Sequence, residues 1–234
     1  MQIEVGGVLV EVEKKPIKNM HLYVVPPNGA VRVSVPEKMS DESIALFVRT
    51  RIGWVKKQRL KFQMQARQSV REYVSGETLY VWGRQYFLQV EYSYKGNTLT
   101  LSGNKALLTV RRESTAGQRE NYVREWYRGL LKENIERYLP KWEQITGLHC
   151  SSWQTKYMTT RWGTCNTNSG KIWLNLQLAK KPEECLEYVI LHELAHLKVR
   201  NHDKSFIAIM DAYMPYWREV RKQLNDSTLD YMKA

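Results

Sequence analysis

Cysteine is scarce in this chain of 234 residues: Cys150, Cys165 and Cys185 are an odd number with no C-x-x-C spacing. That is poor material for a disulfide framework and fits reduced thiols in a cytoplasm. No uninterrupted apolar run is long enough to cross a bilayer, and the opening MQIEVGGVLVEVEKK has no basic segment followed by an apolar one. A soluble, cytoplasmic protein with no membrane partner is expected. No dinucleotide or haem motif is found, so redox chemistry on such a cofactor has no support, and neither an internal repeat nor a low-complexity tract is evident. Acidic residues are the minority charge, 24 against 36 Lys plus Arg, for a net charge of +12. Such an excess suits nucleic acid or nucleotides, and equally a well-solvated basic surface. Hydrophobic residues make up 43% of the chain, enough for a real core.

The first half reads as short strands. IEV, VLVEVE, HLYVV and VRVSV are parted by Gly6-Gly7, Lys14-Lys15-Pro16 and Pro26-Pro27-Asn28-Gly29, and antiparallel pairing through tight turns is expected. Ser40 is placed to cap one long helix running to about Gln65, with Arg49, Arg51, Lys56, Lys57, Arg59 and Lys61 off its apolar stripe. A basic helix of this kind can lie along phosphates or simply face water. Strand-like runs then continue to Arg112, with turns at Gly83, Gly96-Asn97 and Gly103-Asn104.

The polar stretch RESTAGQ at 112–118 is the expected domain boundary. Beyond it a long helix is expected to break at Pro140, with Gly147 ending the second piece. The fold class expected is α+β. A β-rich N-terminal domain over 1–112, containing one long helix, precedes a mainly helical domain over 113–225 with a small antiparallel sheet. Residues 226–234 are expected to form a loose tail.

The densest chemistry lies in YVILHELAHLKVRNHDKSF, residues 188–206, which holds three of the five histidines. His192 and His196 are four apart in an H-E-x-x-H arrangement, so on a helix their imidazoles share a face roughly 5–6 Å apart and can converge on one ion. Glu193 is turned about 100° from His192, within reach of a water on that ion. His202 cannot share the face of an unbroken helix. The helix is therefore expected to end near Val199 to Asn201, with Asn201 as a left-handed stop, so that the chain doubles back. Three imidazoles leave a fourth tetrahedral position open, as catalytic zinc sites do. A zinc ion so held brings its bound water to a pKa of about 7, with Glu193 as the proton acceptor in a hydrolysis. Asp203 is expected to cap the following helix or to orient a ligand.

Together, RWGTC at 161–165, IWLN at 172–175 and the 188–206 stretch resemble the YgjP-like metallopeptidase domain family, a branch of the zincin-like metal-dependent hydrolases. The likeness is strongest from Tyr122 to Leu224, and two departures are Thr164 for the family's serine and Ile207 for a tryptophan often found there. The resemblance implies zinc ligands at His192, His196 and His202, a catalytic Glu193, and a strand beside the cleft. It leaves the substrate open between peptides and nucleoside triphosphates, since some members are described as pyrophosphatases acting on UTP; for a nucleotide, Mn2+ or Mg2+ is an alternative to Zn2+. Arg161 is a candidate catalytic residue that could grip a phosphate or an oxyanion, or only form a structural ion pair. A nucleic-acid-binding module with a non-catalytic metal site is the remaining alternative. Oligomeric state is not legible.

Overall fold

The structure, a computed structural model, describes residues 1–25, 29–64 and 71–226. The architecture is mixed α+β, with six α-helices and three sheets among the described residues. None of the helices is long and apolar enough to cross a membrane. The chain divides into two compact units, Met1–Gln68 and Ser69–Ala234.

In the first unit β1 (Gln2–Val5), β2 (Val8–Lys15), β3 (His21–Val25) and β4 (Ala30–Pro36) form a sheet in the order β1-β2-β4-β3. The alternation read from the sequence puts Val8, Val10 and Val12 of β2 and Val31, Val33 and Val35 of β4 on one buried face. The helix expected from Ser40 is two helices, α1 (Asp41–Arg49) and α2 (Ile52–Met64), separated at Thr50-Arg51. Ser40 caps as expected, its Oγ accepting from the Ser43 N–H at 3.3 Å. Ile44, Val48 and Val55 are fully buried and share the valine core of the sheet.

The second unit opens with β5 (Thr78–Val81), β6 (Arg84–Tyr92), β7 (Thr98–Ser102) and β8 (Lys105–Val110), ordered β5-β6-β8-β7. In neither sheet is the pairing wholly antiparallel: β2 runs parallel to β4, and β6 to β8. Each hairpin meets its neighbour through its inner strand, a crossover that alternation of side chains does not encode. The 31-residue helix α3 (Ala116–Thr146) follows, its start fixed by a capping box between Thr115 and Gln118 and its end by Gly147 at φ 69°. Pro140 does not break it. Both sides of the proline are pinned: the Tyr138 hydroxyl donates to Glu183, while Lys141 Nζ and Trp142 Nε1 reach Glu187 Oε2 at 2.6 and 2.9 Å.

The boundary expected at 112–113 lies between β8 and α3, inside this unit. Residues of β5 to β8 share one core with α3 and with the helix that carries the histidines. The Tyr127 hydroxyl donates to the Tyr80 carbonyl at 2.7 Å, tying α3 to β5. Burial of that kind sets a boundary more firmly than a polar linker does.

The remaining elements are β9 (Ser152–Lys156), β10 (Gly163–Asn166), β11 (Lys171–Asn175), a 3-10 turn over Leu176–Lys180, α4 (Glu183–Ala195), α5 (Lys204–Tyr213) and α6 (Trp217–Asp226). The small sheet has the order β10-β11-β9 and is mixed, not antiparallel, since β9 runs parallel to β11. Of the tail expected over 226–234, Asp226 belongs to α6 and 227–234 lie outside the described residues.

Candidate metal centre

Helix α4 starts after Pro182, with Glu183 and Glu184 favourably placed at the positive end of its dipole. Cys185, Leu186, Val189, Ile190, Leu191, Leu194 and Ala195 are buried, so the helix is enclosed on most sides. It ends earlier than the sequence suggested, at Ala195 with His196 as its cap. The chain then tightens, with the Leu197 and Lys198 N–H groups donating three residues back to the Leu194 and Ala195 carbonyls at 3.0 and 3.1 Å. Asn201 is not a left-handed stop: among the described non-glycine residues only Tyr73 and Trp82 have positive φ. The reversal is made by this tightened end and by Asp203, whose carboxylate accepts from the Ser205 and Phe206 N–H groups at 2.9 and 3.2 Å and starts α5.

The fold gathers His192, His196 and His202. One ring nitrogen from each lies within 4.8 Å of the others, and the three ring centroids are 4.7 to 4.9 Å apart. The buried Phe206 ring sits against all three at similar distances and fixes them from one side. His196 Nδ1 is 3.0 Å from the Val199 carbonyl, which can only accept, so Nδ1 carries the proton and Nε2 keeps its lone pair. His192 Nε2 and His202 Nε2 face each other at 3.0 Å. His192 Nδ1 is buried without a hydrogen-bond partner among the described residues.

The electrostatics favour the neutral form of His192 and His202. Burial, followed by the two neighbouring imidazoles and Arg221, drives His192 down to about 3. Burial and the His196 and Arg221 charges also lower His202. Neutral imidazoles with converging lone pairs fit a divalent cation such as zinc, for which histidine is a common ligand.

Glu193 is only 4% exposed, and burial raises its carboxyl to about 8, with Arg161 pulling the other way. Its closest cover is β10. A Cβ on Gly163 would lie 2.6 Å from Glu193 Oε1 and 2.8 Å from Val189 Cγ1, so only glycine lets the strand run this close to α4. The strand is held in turn by Asn175, fully buried at the end of IWLN. Its Nδ2 donates to the Met158 and Arg161 carbonyls at 2.8 and 2.6 Å, and its Oδ1 accepts from the Gln177 N–H at 3.1 Å. Gly163 and Asn175 both stood in motifs picked out from the sequence, but neither was assigned a role. The signal available was a glycine and a strand-ending asparagine flanking the same loop.

A cavity of about 700 Å³ opens over this group, lined among others by Arg161, Gly163, Tyr188, Arg200 and Arg221. Three guanidinium groups therefore border it, against Glu193 as its one carboxylate among the described lining residues.

Comparison with known proteins agrees with this arrangement. The chain belongs to the YgjP-like metallopeptidase domain family, whose profile matches residues 18–227, and is accordingly a metallopeptidase-like hydrolase. No curated protein sequence matches it significantly. Among solved structures it is similar to the metallopeptidase zymogen abylysin of Pyrococcus abyssi, with 22% identity and a TM-score of 0.38, covering 42% of this chain and 99% of that one. The metallopeptidase zymogen jannalysin of Methanocaldococcus jannaschii gives 22% identity and a TM-score of 0.36, over 39% of this chain and 94% of that one. These two likenesses are too slight to bear on function.

Proposed function

We propose that the protein hydrolyses peptide bonds at a single zinc site formed by His192, His196 and His202, with Glu193 carrying the proton. One observation supports this above others: a buried carboxylate stands beside three imidazoles whose ligand atoms lie within 4.8 Å of one another. When bound, the ion supplies Lewis acidity, which polarises a carbonyl and acidifies water.

The protein's own groups do the rest. His196 presents Nε2 because Nδ1 is committed to Val199. Glu193 has a raised proton affinity from burial, and the positive charge of Arg161 opposes it. Arg161 favours the charged form of the Glu193 carboxylate, which would take a proton from the attacking water. Glu193 then returns that proton to the leaving amine. Arg161 is suited to hold the oxyanion that develops on the scissile carbonyl. Gly163 lets the β10 backbone pack against one side of Glu193 while the cavity leaves the other side open.

The test is the metal-loaded protein incubated with an unfolded protein substrate, alongside Glu193→Gln. Wild type should yield fragments and the variant none, with zinc content equal in the two. Cleavage by Glu193→Gln would overturn the role given to that residue. A second substrate class is favoured by one feature, the three guanidinium groups bordering the cavity: a nucleoside triphosphate. Pyrophosphate release across a nucleotide panel separates the two. The described residues provide one cluster of potential metal ligands, which suits one ion better than the pairs common in phosphoryl chemistry.

A further inference from the structure

Residues 43–71 contain no Asp or Glu and eight Lys or Arg, the longest uncompensated stretch of charge near the N-terminus. Five of those cations, Arg49, Arg51, Lys56, Lys57 and Arg59, stand on the described part of α1 and α2 or between them. None is within ion-pair distance of a carboxylate among the described residues. Elsewhere in the same unit three cations are matched, Arg32 with Glu11 at 2.7 Å, Lys15 with Glu13 at 2.8 Å and Lys14 with Asp41 at 3.8 Å. The exposed surface of this helical pair from residue 43 onward, with no carboxylate to match its charge, suits an anionic partner.

That face also carries an aromatic ring. Trp54 is 47% exposed, although tryptophan is costly to leave in water. Arg51 and Lys57 lie three residues before and after it, and the turn from Arg51 is helical because the Val55 N–H donates to the Arg51 carbonyl at 3.0 Å. Arg51 is itself held, with its guanidinium 4.0 Å over the Phe47 ring and Nη1 donating to the Phe47 carbonyl at 3.2 Å. Aromatic and cationic side chains therefore alternate along one line: Phe47, Arg51, Trp54, Lys57.

We propose that this α1–α2 face binds single-stranded nucleic acid, with Trp54 stacking on a base and Arg51 and Lys57 meeting phosphates. Stacking on an exposed ring within a basic track is how strands are held without regard to sequence, and a duplex offers no unstacked base. An anionic membrane is a poorer match, because a helix lying in lipid needs a continuous apolar stripe and Trp54 is flanked by cations.

Fluorescence anisotropy of the full chain tests this, using a labelled single strand of roughly twenty nucleotides, the matching duplex, and vesicles of anionic lipid. The single strand should bind tighter than the duplex and vesicles, and affinity should fall steeply with salt. Arg51→Gln combined with Lys57→Gln should weaken single-strand binding about tenfold or more and reduce the log–log salt slope by roughly 0.7 per cation removed. Trp54→Ala should weaken it roughly fivefold or more, with Trp54→Phe restoring most of the loss. Circular dichroism should show both variants folded, and Trp54→Ala stands as an independent arm if the double variant is not. Lys105→Gln, an exposed cation on β8, should have little effect. Duplex binding as tight as single-strand binding, retention on vesicles in preference to the oligonucleotide, or equal loss with Lys105→Gln would each overturn the proposal.

Discussion

The two four-stranded sheets are built alike and used differently. Both have the order hairpin, parallel central pair, hairpin, and both are followed by helix. Gly6 and Gly7 at the first turn have φ of 59° and 74°; Trp82 and Gly83, 76 residues later, have 48° and 79°. Both are two-residue loops of the kind that matches strand twist. Ser40 and Thr115 cap the helices that follow each sheet in the same manner. No repeat is evident in the sequence, yet turn conformation and strand order match.

Both helical segments bury a residue completely, Val55 in α2 and Leu131 in α3, next to Trp54 and Leu130 respectively. There the pair diverges. Leu130 and its neighbour Trp126 pack against the core that includes α4, whereas Trp54 is half exposed among cations. The hairpin turns diverge similarly: the Trp82 and Gly83 N–H groups donate to the Ala179 and Lys180 carbonyls at 2.9 and 3.2 Å, just before α4 begins. The second arrangement braces the start of α4, which carries His192 and His196, while the first leaves Trp54 half exposed.

Core substitutions should expose that difference most strongly. Leu131→Ala is expected to destabilise the second unit by about 2–5 kcal/mol, and Trp54→Ala to change stability by no more than about 0.5 kcal/mol. Thermal unfolding of the two variants checks this; a large loss from Trp54→Ala would mean that its ring is packed. The matched turns give a smaller contrast. An alanine at Gly83 meets Pro182 Cγ at 2.8 Å in addition to its left-handed φ, while at Gly7 nothing lies within 4 Å. Gly83→Ala should therefore cost roughly 2–4 kcal/mol and Gly7→Ala roughly 1–2 kcal/mol, by denaturant titration, with only the former also reducing hydrolysis.

A further contrast is a pH dependence that arises largely from α4. In metal-free protein the Glu193 carboxyl rises from 4.5 to about 8 on folding, so its contribution is complete below pH 4.5 and is lost as pH climbs through 8. His192 falls from 6.5 to about 3, so its contribution is complete above pH 6.5 and is lost as pH drops toward 3. Between pH 6.5 and 8 only the first operates. Wild type should lose about 2 kcal/mol across that interval and Glu193→Gln almost none. Equal slopes for the two would remove the account of the buried carboxylate.

Much of the metal centre was legible because local rules govern it. Four-residue spacing on a helix brings His192 and His196 together, and a polar Asp203 ahead of an apolar stripe marks the start of α5. What was not legible depends on distant contacts. The side-chain contacts that flank Pro140 in the unbroken α3 come from Glu183 and Glu187, more than forty residues away. The early end of α4 and the close approach of Gly163 to Glu193 come from tertiary packing that no helical wheel contains. The parallel strand pairs and the division at residue 68 likewise follow from which faces are buried together, and a polar linker at 112–118 gave no sign of it.

Zinc binding followed by calorimetry on wild type and on His192→Ala, His196→Ala and His202→Ala, with peptide hydrolysis assayed on the same samples, bears most directly on the central assignment. One ion per chain should bind to wild type, and each substitution should weaken binding by at least about tenfold and abolish cleavage. Undiminished zinc affinity in any one of the three variants, or cleavage that persists without the metal, would contradict a centre made of these three imidazoles.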